Sequence, residues 1–423
     1  MTSPLLGLAS RRHRGQGGGI YSVCSAHPLV IEAAMHQANE DGTVLLVEAT
    51  SNQVDQFGGY TGMRPADFMA FVREIAARAG FDPSRVLLGG DHLGPNPWRE
   101  RPADEAMALA RDLLASYAEA GFTKLHLDAS MRCADDPATL DDRIVAERAA
   151  ALCAAAEAAC KGGTRPVYVI GTEVPVPGGA AESLDHVEVT SPAAAQRTID
   201  VHEEAFSALK LQDAWSRVIA LVVQPGVEFD HEHVVDYQPE KAQALSSVLG
   251  LASNLVFEAH STDYQQPESL AALVRDGYAI LKVGPGLSFA LREALYALAA
   301  IEAELIEGGK QSGLREVVER VMLERPESWQ RYYHGDLPQQ KLLRRYSYSD
   351  RVRYYWPDPA IEEATRKLFE NLKAVHIPET LLSQYLPRQY AAVRNGRLLP
   401  EPRALALDRV RDAIRPYTAA CGA

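Results

Sequence analysis

Residues 85–92 read RVLLGGDH: an apolar run, two glycines, then an acid and an imidazole. The apolar part does not alternate with polar residues, so it describes a strand buried on both faces, as in a parallel sheet. Seven other segments have the same character. They are 20–25 (IYSVCS), 43–50 (TVLLVEAT), 124–130 (KLHLDAS), 166–174 (PVYVIGTEV), 217–226 (RVIALVVQPG), 254–262 (NLVFEAHST) and 279–286 (AILKVGPG). A helical pattern follows each, over 28–39, 66–79, 103–120, 141–160, 193–209, 239–249, 267–275 and 289–306. Eight strand–helix alternations predict an α/β fold, a closed (β/α)8 TIM barrel. A doubly wound open sheet would want a glycine-rich phosphate turn after an early strand. The glycines at 15, 17, 18 and 19 precede the first strand and do not supply it.

The barrel is expected to occupy residues 1–308. Residues 309–423 read as a helical extension packed on it, with helices near 314–323, 327–332 and 360–371. Between them lies a run dense in Arg and Tyr, 341–356 (KLLRRYSYSDRVRYYW), which suits a surface, an interface or a structural cluster.

The whole chain of 423 residues is 47% hydrophobic and 23% charged, a globular balance. Its 43 Lys and Arg against 56 Asp and Glu leave a net charge of −13. A nucleic-acid or anionic-membrane binder needs a basic surface excess and is not expected, although a local basic pocket remains compatible. The five cysteines include no C-x-x-C pair, which argues against a disulfide scaffold or cysteine zinc finger. No apolar run reaches the roughly 18–20 residues of a membrane span, and no signal-peptide core is evident. The expectation is a cytoplasmic homo-oligomer.

Barrel chemistry gathers at the C-terminal strand ends. Every strand here ends in polar residues: Cys24 and Ser25; Glu48, then Asn52 and Gln53; Asp91 and His92; His126 and Asp128; Glu173; Gln224; Glu258 and His260, then Ser261 and Asp263; and Lys282. Burying so many without partners costs a few kcal/mol each, which favours a site. His92, Glu173 and His260 together suit a divalent metal with an open coordination position. His231 and His233 lie in a charged loop and read as rim residues. The stretch 57–63 (FGGYTGM) is either a substrate-facing loop or a tight turn. The stretch 283–288 (VGPGLS) either offers backbone N–H groups to a phosphate or is an ordinary turn into a helix. Cys24 has no evident base beside it and reads as a buried thiol.

The motifs SVCSAHP (22–28), EATSNQVDQFGGYTGM (48–63), GGDHLGPN (89–96), HLDAS (126–130), GTEVPVPGG (171–179), FEAHSTDYQ (257–265) and YSDRVRYYWP (348–357) closely resemble the GatZ/KbaZ family. That family was named for a non-catalytic subunit of tagatose-bisphosphate aldolase and includes ketose 4-epimerases. It is similar in fold to zinc-dependent class II aldolases. The resemblance implies that Asp91 is an acid/base and that His92 and His260 bind metal, with Glu173 matching a glutamate after strand 5. The family's further histidine ligand has no counterpart in VVQPGVEF near strand 6, so either Glu173 or Gln224 fills its place or metal binding is weakened. The metal implied is Zn2+, or else Mn2+. Ser25, Asn52, Gln53, Tyr60, Ser261, Asp263, Lys282, Gly284 and Arg351 are expected to bind substrate.

An older kinase label for the family finds no support, because neither a G-x-x-x-x-G-K-[ST] motif nor the kinase loop set is present. The activity expected is metal-dependent 4-epimerisation between D-tagatose 6-phosphate and D-fructose 6-phosphate. The alternatives are an accessory role beside a class II aldolase subunit, and epimerisation of the free ketoses. The C4 hydrogen is β to the C2 carbonyl and is not acidic, so simple proton abstraction cannot invert C4. Retro-aldol cleavage of C3–C4 and re-addition to the other aldehyde face can. Asp91 would take the C4 hydroxyl proton, with Asp128, His126 or, if it does not bind metal, Glu173 as the second acid/base.

Overall fold

The protein is described from a computed structural model, over residues 3–422 with the exception of 161, 163, 175–179, 181–186 and 251–253. The end of the 171–179 motif therefore lies outside the described residues. Eight strands form the barrel: β1 (Ile20–Val23), β2 (Leu45–Thr50), β3 (Val86–Leu93), β4 (Lys124–Leu127), β5 (Val167–Ile170), β6 (Val218–Val223), β7 (Val256–Ala259) and β8 (Ile280–Val283). All neighbouring pairs are parallel, and β1 pairs with both β2 and β8, which closes the sheet. The fold is thus the (β/α)8 barrel that the continuous apolar runs predict. A small antiparallel hairpin, Glu228–Phe229 with Val234–Val235, follows β6.

Strand alternation divides the side chains between two environments. Val23, Val47, Leu125, Tyr168, Leu221, Phe257 and Leu281 pack outward against the helices in one core cluster. Ile20, Leu46, Val167, Val169, Ala220, Val222, Val256 and Ile280 form a second cluster with Leu5 and Leu8 of the N-terminal segment. Most of the intervening helices carry proline in the first turn, where its missing N–H costs nothing and its fixed φ suits the helix. For that reason the helix after β8 begins at Pro285 rather than at 289.

The chain then adds helices Leu314–Glu324, Leu337–Tyr346, Pro359–Lys373, Glu379–Tyr385, Pro387–Arg394 and Pro402–Cys421. The helix expected over 327–332 is only a 3-10 turn, Pro326–Ser328. The Trp329 indole turns back to donate to the Met322 carbonyl at 2.6 Å, which bends the chain there. The last helix packs against Pro28–Asp41, Pro267–Arg275 and Pro285–Leu305. Its Tyr417 hydroxyl donates to the Thr262 carbonyl just beyond β7 (2.6 Å), and the Gly19 N–H donates to the Cys421 carbonyl (3.1 Å). Leu405, Val410 and Ile414 share the main core with the barrel. No helix among the described residues is long and apolar enough to cross a membrane.

Candidate active site at the barrel mouth

The floor of the mouth is a buried lattice of charges. Lys124, the first residue of β4, places Nζ 2.6 Å from Glu48 Oε1 and 2.8 Å from Glu258 Oε2, so it spans from β2 to β7. All three side chains are fully buried. Lys282 pairs with Glu48 and lies 3.1 Å from Asp91 Oδ2 and 3.9 Å from Glu258 Oε1. Burial disfavours both ammoniums, but the surrounding carboxylates outweigh it and raise both lysine pKa values. Burial likewise opposes ionisation of Glu258, and Lys124 and Lys282 overcome it and hold that carboxyl below its usual range.

Three histidines converge above the floor. The ring centroids of His92, His126 and His260 are 4.8–5.3 Å apart. Asp91 and His92 both face the mouth although they are adjacent, and the backbone explains how. His92 adopts a left-handed conformation, φ 48°, and the β3–β4 register shifts between Gly90 and Leu93. Such a bulge re-aims a side chain that regular alternation would turn away. Gly94 completes the bend: a Cβ there would lie 1.6 Å from the Asp128 carbonyl oxygen.

His126 Nδ1 lies 2.9 Å from Asp91 Oδ1 and 3.2 Å from the His92 backbone nitrogen, and its tautomer decides which hydrogen bond forms. Its Nε2 is buried with no hydrogen-bond partner among the described residues. His260 Nε2 lies 3.0 Å from Glu258 Oε1. His92 Nδ1 lies 2.8 Å from Asp128 Oδ2, while Asp128 Oδ1 accepts from the Ser130 hydroxyl and N–H. Burial works against a charged His92, but the carboxylates of Asp91 and Asp128 prevail and raise its pKa. For His260 burial prevails, and the pKa falls to about 4. His260 therefore keeps a lone pair available at neutral pH, whereas His92 holds a proton more readily.

One donor atom from each of Asp91, His126, Glu258 and His260 lies within 4.8 Å of every other. Glu48, Asp91, Asp128 and Glu258 outnumber Lys124 and Lys282 by two negative charges, of which a protonated His92 offsets one. An unpartnered buried imidazole nitrogen, a carboxylate behind its other nitrogen and that surplus charge fit a divalent cation. Burial raises the Cys24 thiol pKa, which opposes formation of a nucleophilic thiolate there.

Above the cluster lies a cavity of about 80 Å³, lined in part by Asn52, Gln53, Tyr60, Asp91, His92, His260, Ser261, Asp263, Lys282 and Gly284. A larger one of about 690 Å³ adjoins it and is bordered by Ser25. The loop at 57–63 is both a tight turn and a cavity wall. Tyr60 donates its N–H to the Asn52 carbonyl (3.0 Å), and a Cβ on Gly59 would lie 2.4 Å from the Gln53 carbonyl oxygen.

Three expected site residues are placed elsewhere. Glu173 is exposed and accepts from the Thr190 hydroxyl at 2.6 Å. Gln224 uses Oε1 to accept the N–H groups of Gly226 and Val227, which fixes the turn after β6. Arg351 stacks on Tyr332 at 3.4 Å and donates to the Ser328 carbonyl. Its neighbour Arg353 lines both cavities. His231 lies against Tyr332 and Ser349, and His233 is largely exposed.

Glu48 and Glu258, read as polar strand ends but given no role, join the site, as do Lys124 and Arg353, which the sequence did not single out. A lysine opening the fully buried KLHL strand was the available signal for Lys124, since a charge in a buried strand demands opposite charges nearby.

A closed parallel barrel with a buried carboxylate–histidine–lysine cluster under its mouth defines the class of the molecule. Over residues 5–422 the chain matches the family described as D-tagatose-1,6-bisphosphate aldolase subunit GatZ/KbaZ-like, and it belongs to that family. It is similar to the crystal structure of a probable tagatose 6 phosphate kinase from Sinorhizobium meliloti 1021, with 53% identity and a TM-score of 0.89. That match covers 95% of this chain and 100% of the other. Weaker similarity, 10% identity and a TM-score of 0.41, links it to the YdjI aldolase of Escherichia coli K12, covering 88% and 98% of the two chains. The fructose-bisphosphate aldolase of Campylobacter jejuni gives 13% identity and a TM-score of 0.44, covering 87% and 93%.

Proposed function

We propose that the protein is a divalent-metal-dependent 4-epimerase that interconverts D-tagatose 6-phosphate and D-fructose 6-phosphate by retro-aldol and aldol steps. The observation that carries this reading is the buried donor set Asp91, His126, Glu258 and His260 beneath a cavity lined by acid/base groups. His126, His260 and Glu258 would hold the cation, with Asp91 at its margin. When bound, the cation would supply Lewis-acid polarisation of the ketose carbonyl.

The residues of the chain do the rest. Asp91 takes the C4 hydroxyl proton as the C3–C4 bond breaks. The electron pair of that bond stays with the C1–C3 fragment, and C4 becomes an aldehyde carbon. The aldehyde turns over and the C3–C4 bond re-forms on its other face. His92, held by Asp128, delivers a proton to the new C4 oxygen. Asp91 Oδ2 and His92 Nε2 are 3.6 Å apart, so the proton gained by one returns to the other and the site is reset. Burial opposes ionisation of Asp91, but His92 and then Lys282, which lies between Glu48 and Asp91, outweigh it and keep the carboxyl ionised. Transfer of a phosphoryl group from a nucleotide has no P-loop motif to support it.

The test is incubation of the purified protein with D-tagatose 6-phosphate and zinc or manganese, following D-fructose 6-phosphate. Turnover lost on chelation and restored by the cation is expected. Absence of turnover, with stimulation of an added tagatose-bisphosphate aldolase subunit, would replace the reading with an accessory role.

A further inference from the structure

Ligand sites are typically on the order of 300–1,000 Å³. The cavity directly above the histidines, about 80 Å³, admits only one end of a six-carbon chain. The remainder has to extend into the adjoining cavity of about 690 Å³, which shares Cys24, Gln53, Tyr60, Gly284 and Arg353 with the first. The far end of the substrate is therefore met at this junction.

Barrels often hold phosphate on backbone N–H groups after strands 7 and 8. Here that place is filled by the chain itself. Asp263 Oδ1 accepts from the Gly284 N–H at 2.9 Å and from the Gly286 N–H at 2.7 Å, at the start of the helix Pro285–Leu305. A carboxylate consumes those donors and would repel a second anion.

The cations around the two cavities differ in what surrounds them. Lys282 is locked among carboxylates. Arg78 pairs with Glu74, and Arg366 with Glu363 and Glu370. Arg353 has no carboxylate of the described residues within ion-pairing distance. Its Nη1 donates to the carbonyls of Ser349 and Asp350, and its Nη2 donates to the Tyr354 hydroxyl at 3.0 Å. The guanidinium also lies over the Tyr354 ring at 4.6 Å. These contacts aim the group while no carboxylate sits directly against it, Asp350 and Asp263 acting on it only at longer range, in a half-buried position where a charge without a close partner is costly.

We infer that Arg353 is the anion anchor of this cavity, and that it takes the terminal phosphate of the ketose in place of the helix end that Asp263 closes. The inference rests on the epimerase reading for the identity of the ketose, and on the cavity alone for the anion. A phosphate held at Arg353 is also a pivot. It retains the aldehyde fragment between cleavage and re-addition, while the larger cavity gives that fragment room to turn.

The experiment compares the wild type with Arg353→Gln and Arg353→Lys, each checked for native folding by thermal unfolding. Binding of inorganic phosphate and of D-fructose 6-phosphate is measured by calorimetry, and kcat/KM is measured for D-tagatose 6-phosphate and for D-tagatose. Arg353→Gln is expected to weaken both anions about 10- to 100-fold, as loss of a charge-assisted contact does. The preference for the phosphorylated ketose should fall by a similar factor, mostly through KM, with Arg353→Lys between the two. Anion binding and preference equal to wild type in a folded Arg353→Gln protein would overturn the anchor while leaving the epimerase standing. Arg353-dependent phosphate binding without any turnover would keep the anchor and remove the epimerase.

Discussion

The floor and the roof of the barrel mouth are both rich in charge, yet they are built in opposite ways. On the floor, Lys124, Glu48, Glu258 and Lys282 project from four strands and neutralise one another across the barrel axis. The roof is the segment around Tyr348–Trp356, joined to the barrel by a few anchors. Asp350 accepts from Ser288 and from Arg292 at 2.6 Å each, and the Tyr264 hydroxyl donates to the Tyr348 carbonyl at 2.6 Å. The floor satisfies each of its charges with opposite charges, whereas the roof pairs Asp350 with Arg292 but holds Arg353 only with carbonyls, a hydroxyl and an aromatic ring, leaving Arg353 to meet a ligand. Strands set the reacting groups to a fraction of an ångström, whereas an added segment determines what reaches them.

The sharpest way to break this division is at the floor. Asp91→Asn should lower epimerase kcat on the order of 10²–10⁴-fold, since a positioned general base contributes that much. Near-wild-type turnover would mean that the floor does not carry the chemistry. Lys124→Met leaves Glu48 and Glu258 buried without their cation and should cost about 3–5 kcal/mol in a denaturant titration. A smaller loss would show that water enters the lattice and that the floor is less sealed than its burial indicates. At the roof, Asp350→Asn removes the charge facing Arg292 and should cost about 1.5–3 kcal/mol in the same titration. A floor-sized loss would make the roof an equal part of the core. The smallest effect belongs to Arg351→Lys, where loss of stacking on Tyr332 should cost about 1 kcal/mol. A large change in KM from that variant would transfer the anchoring role from Arg353 to its neighbour.

The two regions also differ in how much of them the sequence reveals. The strands of the floor are mostly apolar runs with a few polar residues near their ends, and the helix Ala103–Ala120 stands where its pattern predicts. Polar residues at the strand ends locate the mouth. The C-terminal helices Glu379–Tyr385, Pro387–Arg394 and Pro402–Cys421 are not marked in the same way. The last of them buries Asp408 and Thr418 among its apolar residues and carries Pro416 inside the helix. What stabilises it is contact with three barrel helices rather than local propensity, and such contact leaves little trace in one segment.

The sequence by itself determined the barrel, the location of the mouth and the presence of Asp91, His92, His126, Asp128 and His260 there. Local periodicity carries that information, because each strand is buried by its own residues. Tertiary structure alone decided the partners. Lys124 meets Glu48 and Glu258 from 76 and 134 residues away, and Gln224 and Glu173 turn to neighbours of their own. It also decided that Arg353 rather than Arg351 enters the cavity, and that Asp263 fills the helix end after β8. Charge pairing depends on distance in space, and a one-dimensional pattern does not encode which of several charges will be within 4 Å of which.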